Sequence, residues 1–212
     1  MNGPHMIKQA RAIVLAGAAA CLAMGSAQAA HFVDTGAPNG SAIGAYTFDG
    51  TDFFAGQVTF AGAAQISSVF AHVLGGTAGE TFSILLYGDS ASHLPGTVLR
   101  SATATFGIDG WNGVSSLSGW NVGAGSYWIG LEIGGDNTLG QGSVTGALLD
   151  RGVPHPLLRT AFDSGSGYQA GAFDFGLQVD ATVTAVPEPE TFALMLAGLG
   201  ALGFVARRRR VR

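Results

Sequence analysis

Side chains that could act as a nucleophile, a base or a metal ligand are few and scattered in this sequence. The central part of the chain, residues 30–185, contains four histidines: His31, His72, His93 and His155. None of them has the His-x-x-x-His spacing of a zinc site, so we interpret them as loop or sheet-surface residues. The single cysteine, Cys21, lies in an apolar run near the N-terminus. The central part therefore has no thiol for a disulfide, a nucleophile or a metal site.

Carboxylates and serines form no hydrolase pattern either. Glu80 and Glu132 are the only glutamates of the central part, and nothing in the sequence pairs them as the two facing carboxyls of a glycosidase. The segment GDSAS (88–92) lacks the Gly-x-Ser-x-Gly elbow that exposes a nucleophilic serine, so we interpret it as a turn. We therefore predict that the protein is not an enzyme.

Calcium is the one cofactor that the sequence leaves open. FDGTD (48–52) and GGDN (134–137) place oxygen ligands in glycine-rich turns, which suits a hard cation. Asx turns explain the same residues without a metal, and neither segment has the EF-hand pattern. We expect no bound cofactor, with Ca2+ as the alternative.

Aromatic side chains are concentrated in one region, which contains Trp111, Trp120, Tyr127 and Trp128. If the indoles of Trp111, Trp120 and Trp128 shared an exposed face, they could stack on sugar rings and form a glycan-binding platform. Tyr127 and Trp128 are neighbours on a predicted strand and must point to opposite faces. Core packing is the competing interpretation of the three tryptophans, and the sequence does not decide between the two.

The charge of the central part excludes one class of partner. Three basic residues, Arg100, Arg151 and Arg159, stand against twelve acidic residues, which leaves a net charge of −9. Affinity for nucleic acid comes mainly from lysines and arginines that neutralise phosphates. We therefore predict no nucleic-acid partner.

Alternation of apolar and polar residues dominates the central part and predicts the strands on which any site would lie. β-branched or aromatic residues recur at period two in five segments: QVTF (57–60), SVFAHVL (68–74), TFSILLYG (81–88), SYWIGLEI (126–133) and FGLQVDATV (175–183). The pattern predicts an all-β protein, an antiparallel two-sheet β-sandwich of jelly-roll type with eight to ten strands. Two glycine-rich segments, GGTAGE (75–80) and GAGS (123–126), are predicted to be hairpin connections.

The N-terminal segment has the three parts of a secretory signal peptide. Lys8 and Arg11 give a positive start, residues 12–24 form an apolar stretch, and Ala27 and Ala29 supply the small residues that signal peptidase reads. We predict cleavage after Ala29. The expected partners are the Sec translocon and signal peptidase.

The C-terminal segment is predicted to be a short membrane helix. Residues 191–206 carry no charge and would form a helix of roughly 24 Å at 1.5 Å per residue. They are followed directly by a basic tail, Arg207, Arg208, Arg209 and Arg210. Such a cluster stays cytoplasmic by the positive-inside rule, which places the central domain on the periplasmic side of the inner membrane.

The order of features at this end resembles the PEP-CTERM sorting signal of Gram-negative bacteria. The motif is Val186, Pro187, Glu188 and Pro189, followed by the apolar helix and the arginine tail. The resemblance implies an exosortase as partner, which removes the helix and tail. It divides the chain into a signal peptide (1–29), an extracytoplasmic β-sandwich domain (30–185) and a sorting signal (186–212).

The central part resembles a second family, the choice-of-anchor R domains. The resemblance is carried by the Leu-Tyr-x-Asp end of one strand (86–89), the turn at Leu94 to Gly96, and the strand that contains Tyr127 and Trp128. It spans roughly residues 40–183. It implies an extracellular β-sandwich with no assigned catalytic residues.

These features together predict a non-enzymatic secreted or cell-surface protein. The PEP-CTERM resemblance implies a setting of exopolysaccharide and biofilm formation, in which the domain would be a structural or adhesive component of the matrix. The expected final location is the cell surface or the extracellular matrix. The alternative is an extracellular carbohydrate-binding module that uses exposed tryptophans.

Overall fold

The chain folds almost entirely into β-strands. The computed structural model describes residues 30–38, 44–144, 146–184, 194–200, 202 and 207. Thirteen strands lie within this described part: β1 (Ala30–Asp34), β2 (Tyr46–Phe48), β3 (Phe53–Phe60), β4 (Ala64–Leu74), β5 (Thr81–Asp89), β6 (Pro95–Thr105), β7 (Gly110–Val114), β8 (Asn121–Val122), β9 (Gly125–Glu132), β10 (Ala147–Leu149), β11 (Thr160–Asp163), β12 (Gln169–Gly171) and β13 (Leu177–Val183).

The strands form two antiparallel sheets. The first sheet has the order β1-β13-β4-β10-β2, and β7 and β8 also pair with β4. The second sheet has the order β12-β11-β3-β9-β5-β6. β4 is the longest strand of the first sheet, and its eleven residues pair in turn with four other strands.

One apolar core lies between the sheets. In β5 of the second sheet, Phe82 and Ile84 are buried at alternate positions, and in β13 of the first sheet Leu177 and Val179 are buried in the same way. All four belong to a single hydrophobic cluster that receives side chains from both sheets. Alternation at period two places one set of residues on each face of a strand, and here that set faces the other sheet. The predicted β-sandwich is confirmed, with more strands than expected.

The two predicted hairpin connections are wrong. Residues 75–80 lead from β4 in the first sheet to β5 in the second, and residues 123 and 124 lead from β8 to β9, again between sheets. Glycine is still required there, because Gly75 and Gly79 have φ of 72° and 95°, which side chains disfavour. The segment 88–92, predicted to be a turn, lies in the hairpin between β5 and β6, but its first two residues, Gly88 and Asp89, still belong to β5.

The strand nearest the C-terminal segment completes the sandwich. Val183, the last residue of β13, pairs with Ala64 of β4. One residue later, the backbone N–H of Thr184 donates to the carbonyl of Ala63 at 2.8 Å. The ladder of the first sheet therefore continues to residue 184.

Part of the predicted membrane helix lies within the described residues. Residues 194–200, 202 and 207 are helical, and every one of them is exposed. The exposed set includes Leu194, Met195, Leu196, Leu199 and Leu202. No helix within the described part of the chain has both the length and the apolar character needed to cross a bilayer. Residues 191–193, 201 and 203–206 of the prediction fall outside the described part.

Candidate functional site

Most of the predicted sorting residues lie outside the described part of the chain. These are the cleavage-site residues Ala27 and Ala29, the motif Val186 to Pro189, and three arginines of the tail, Arg208 to Arg210. Arg207 is described, and it is helical and exposed. The described structure that adjoins the motif is therefore the end of β13 on one side and the exposed apolar helix on the other.

The tryptophan platform that the sequence left open is not formed. Trp120 and Trp128 are only 3% and 1% exposed. Trp111 lies in β7 of the first sheet, whereas Trp128 lies in β9 of the second. The three indoles therefore share no exposed face, because Trp120 is buried in the core between the sheets and Trp128 in a smaller cluster with Ala55, Tyr87 and Ala161.

Trp111 instead packs against a histidine on the outer face of the first sheet. Its ring meets that of His72 edge-on, with 5.2 Å between the centroids. Nδ1 of His72 lies 3.2 Å from Oδ2 of Asp150. The outward position that alternation gives His72 is as predicted, but its side chain is only 16% exposed because these neighbours cover it.

A tyrosine–glutamate cluster occupies the outer face of the second sheet. The hydroxyls of Tyr87 and Tyr168 both donate to Oε1 of Glu132, the second at 2.8 Å. Burial raises the pKa of both phenols, and the Glu132 carboxylate raises it further. Both phenols therefore stay protonated and act as donors at neutral pH, which satisfies the glutamate without a cation.

A glycine makes this cluster sterically possible. Gly130 lies between Trp128 and Glu132 on β9, and a Cβ built on it would lie 2.7 Å from Cε2 of Tyr87 and 3.3 Å from the hydroxyl of Tyr168. Without a side chain at 130, the Tyr87 ring can lie across β9 and reach the glutamate. Close approach of this kind is a common reason for glycine in a strand.

An aspartate forms a second cluster beside the first. Oδ1 of Asp89 accepts from Nε1 of Trp128 at 2.8 Å and from Nε2 of Gln57 at 3.2 Å, and Oδ2 lies 2.8 Å from Nδ1 of His93. Burial raises the pKa of the Asp89 carboxyl, but the bonds from Trp128, His93 and Gln57 outweigh it, so the pKa is lowered. The carboxylate thus stays ionised and ties β3, β9 and the β5–β6 hairpin together.

The serines of that hairpin are engaged locally. Ser90 Oγ accepts from the backbone N–H of Leu94 at 3.1 Å and lies 3.0 Å from Ser92 Oγ. His93 adopts φ of 54°, in the left-handed region. The side chains of GDSAS therefore shape a turn, as the absence of a nucleophile elbow predicts.

The Glu80 carboxylate binds the backbone of two loops. It accepts from backbone N–H groups of Thr77 at 2.8 Å, Gly140 at 2.9 Å and Gly142 at 2.6 Å. Burial raises the pKa of this carboxyl, but the three backbone donors outweigh it and lower the pKa. Each glutamate is thus held by its own set of donors.

One polar side chain in each of the two turns that were considered for calcium is held by hydrogen bonds. Asp49 Oδ1 accepts from the backbone N–H and the hydroxyl of Thr51, both at 2.8 Å. Asn137 Nδ2 donates to Ser83 Oγ and to the carbonyl of Gly134, both at 2.7 Å. Within the described residues, no three histidine, cysteine, aspartate or glutamate side chains lie close enough to hold a metal ion.

An aromatic cleft that the sequence did not indicate opens between β2 and β11. It has a volume of about 320 Å³ and is lined by Tyr46, Thr47, Asp52, Phe54, Phe162 and Phe173. The rings of Tyr46, Phe54 and Phe162 each lie within 6.2 Å of the Phe173 ring, measured between centroids. Sequence reasoning missed this site because its members come from separate segments of the chain.

Comparison with known families identifies the C-terminal segment. The family model of the PEP-CTERM protein-sorting motif matches residues 185–210. The chain therefore carries this motif, which marks an exported protein that is anchored transiently in a membrane and processed by an exosortase. No curated protein sequence matches the chain.

Two solved structures resemble part of the chain. One contains the cysteine protease and lectin-like domains of Cwp84, a surface layer associated protein of Clostridium difficile; it is 10% identical over 63% of this chain and 32% of that chain, with a TM-score of 0.41. The other is clostridial Cwp84 after propeptide cleavage, 10% identical over 63% of this chain and 36% of that chain, with a TM-score of 0.44. The chain thus spans about a third of each protein. Similarity at this level does not indicate a shared activity.

Proposed function

We propose that this chain, which carries a PEP-CTERM sorting motif, is delivered by an exosortase to the cell surface or the extracellular matrix, where its β-sandwich acts as a non-enzymatic component. The observation that carries the proposal is the position of the motif. The motif begins at residue 185, directly after Thr184, whose N–H makes the last hydrogen bond that the structure describes in the first sheet. Sorting signal and folded domain therefore adjoin without overlapping.

The geometry suits removal of the segment after export. Two prolines in the motif, Pro187 and Pro189, deny it backbone donors and disfavour helix, so the peptide can enter a protease groove in an extended form. The helical residues beyond it are exposed and leucine-rich, which suits contact with lipid before cleavage. Cleavage in or after the motif would leave every strand of the sandwich in place.

The polar clusters support a structural role for the sandwich. The carboxylates of Glu80, Asp89 and Glu132 are each occupied by hydrogen-bond donors from the protein itself. A catalytic carboxylate must instead be within reach of a substrate proton. We propose that these clusters fix loops and sheets of a matrix protein, in a setting rich in exopolysaccharide.

Carbohydrate binding through the tryptophans receives no support from their positions. Two of the three indoles are buried in the native fold, and stacking on a sugar would require the sandwich to open. If the protein contacts polysaccharide, other surfaces must make the contact.

The motif is tested by substitution in a host that has an exosortase. Replacing Pro187, Glu188 and Pro189 together by alanine should leave the C-terminal segment attached, so that the protein stays in the inner membrane fraction. A matched control replaces Thr182 and Thr184, exposed residues just before the motif, by alanine and should be processed normally. Normal processing of the motif variant would refute the proposed sorting route.

A further inference from the structure

We propose that the aromatic cleft is a binding site for a small organic cation with apolar substituents, of the quaternary ammonium class. Four of its lining residues are aromatic: Tyr46, Phe54, Phe162 and Phe173. The negative face of an aromatic ring attracts a cation, and cages of such rings are the usual protein site for quaternary ammonium groups. A cleft of about 320 Å³ accommodates a ligand of this size.

An unpaired carboxylate lies at the same site. Asp52 lines the cleft, and its carboxylate has no hydrogen bond or ion pair with any residue of the described part of the chain. The contrast with Asp49, three residues earlier and bonded to Thr51, shows that the neighbouring turn does not need Asp52. A cation in the cleft would supply the missing partner and be held by both charge and ring faces.

The structure already shows a cation on one of these rings. The guanidinium of Arg151 lies over the Tyr46 ring, with its Cζ 5.2 Å from the centroid, and its Nε donates to the carbonyl of Gly44 at 3.0 Å. Arg151 itself does not line the cleft. The Tyr46 ring therefore already takes part in one cation–π contact, and it also lines the cleft.

Charge complementarity favours a cation over a neutral or anionic ligand. The domain from residue 30 to residue 185 carries a net charge of −9, and a field of that sign raises the local concentration of cations. A neutral sugar could contact the rings and donate a hydrogen bond to Asp52, but the negative electrostatic potential of the domain would not attract it.

The cleft is also placed for access while the protein is anchored. Asp52 precedes Phe53 at the start of β3, and Ala63, which accepts the bond from Thr184, follows the end of β3. The intervening strand of eight residues spans roughly 26 Å at 3.3 Å per residue. The cleft therefore opens at the end of the sandwich remote from Thr184, the last described residue before the sorting motif.

The test compares two ligands that differ only in charge. Isothermal titration of the full chain in nonionic detergent would use choline and its neutral carbon isostere, 3,3-dimethylbutan-1-ol. We expect choline to bind at least about tenfold more tightly than the isostere, as a cation–π site predicts. Asp52→Asn should weaken choline binding about fivefold or more, and Asp136→Asn, at an exposed carboxylate elsewhere, should not change it.

Three outcomes would overturn the inference. Equal affinity for choline and the isostere would show that the cleft binds apolar groups without regard to charge. An equal loss of choline affinity in the Asp52 and Asp136 variants would show nonspecific attraction to an acidic protein. The absence of choline binding, alone or together with binding of glucose oligosaccharides, would exclude an organic cation as the ligand. Circular dichroism of both variants ensures that a loss of binding is not a loss of fold.

Discussion

Ala30, the first residue of β1, pairs with Ala181 of β13, three residues before the point where the sandwich ends. The predicted signal-peptide cut lies directly before Ala30, and the PEP-CTERM motif starts at residue 185. Ala30 and Thr184, the first and last described residues of the sandwich, therefore lie at the same end of the first sheet. A chain that consists of residues 30–184 contains every strand of both sheets that the structure describes.

The first prediction concerns the boundary between sandwich and sorting segment. A chain of residues 30–184 should keep the near-ultraviolet circular dichroism of the full chain, because every described residue of the C-terminal helix is exposed to solvent. Its free energy of unfolding should change by less than about 0.5 kcal/mol, which corresponds to about 2 °C in Tm.

The matched control is a chain that ends at Asp180. It loses the pairs that Ala181, Thr182 and Val183 make with β4, so its Tm should fall well below that of the longer chain. Equal Tm values for the two truncated chains would show that β13 does not complete the sandwich.

The second prediction concerns Glu80. Glu80→Ala removes a buried carboxylate that accepts from three backbone N–H groups, so the variant should lose about 1.5–3 kcal/mol, the usual value of hydrogen bonds to a charged group. Urea denaturation monitored by circular dichroism measures the loss. The exposed Asp136→Ala should change stability by less than about 0.5 kcal/mol, and a similar effect of both substitutions would contradict this account of Glu80.

A comparison of these elements with the sequence shows what periodicity can predict. β5 and β9 were predicted because apolar residues alternate along them. β6 was missed because most of its residues are exposed, so no apolar alternation marks it. The sequence also failed to predict which strands pair. Residues 75–80 contain the glycines of a hairpin, but the positive φ values of Gly75 and Gly79 suit a connection between the two sheets equally well.

The polar clusters required tertiary information for a different reason. Tyr168 reaches Glu132 from 36 residues away along the chain, and Gln57 reaches Asp89 from 32. Residues so far apart in the sequence do not form a short motif that can be recognised by its spacing. Asp89 belonged to the Leu-Tyr-x-Asp pattern, yet its bond to the Trp128 indole depends on the pairing of Tyr87 with Trp128 across β5 and β9.

The third prediction is a pH dependence that arises from Asp89. Its pKa is lowered in the folded state, so its stabilising effect is complete above the unfolded-state pKa of about 3.9 and is lost as pH falls through the lower folded-state value. Asp89→Asn should cost about 1–2 kcal/mol at pH 7.

The difference in unfolding free energy between wild type and Asp89→Asn should therefore shrink below about pH 4. Taking the difference cancels the acid dependence of Glu80, whose pKa is also lowered. A difference that stayed constant from pH 7 to pH 3 would contradict the network around Asp89.

The fourth prediction concerns the glycine beneath the tyrosines. Gly130→Ala should destabilise the protein by about 1–3 kcal/mol, because the new methyl group would force Tyr87 away from Glu132. Gly134→Ala is the control, since a Cβ there meets only Cζ of Phe53 at 3.9 Å. The exposure of Tyr87 to solvent, followed by second-derivative ultraviolet absorption, should rise in the first variant alone. If Gly130→Ala changed neither the tyrosine spectrum nor the stability, the conclusion that a side chain at 130 would displace Tyr87 would be wrong.

The most direct test of the central claim is the mass and location of the mature protein in paired hosts, one with an exosortase and one without. Intact mass spectrometry of each cell fraction should find a product trimmed at both ends outside the cell only where the exosortase is present, and a product that keeps residues 191–212 in the inner membrane of the other host. An untrimmed product in the inner membrane of both hosts would contradict exosortase sorting, and with it the proposed role in an extracellular matrix.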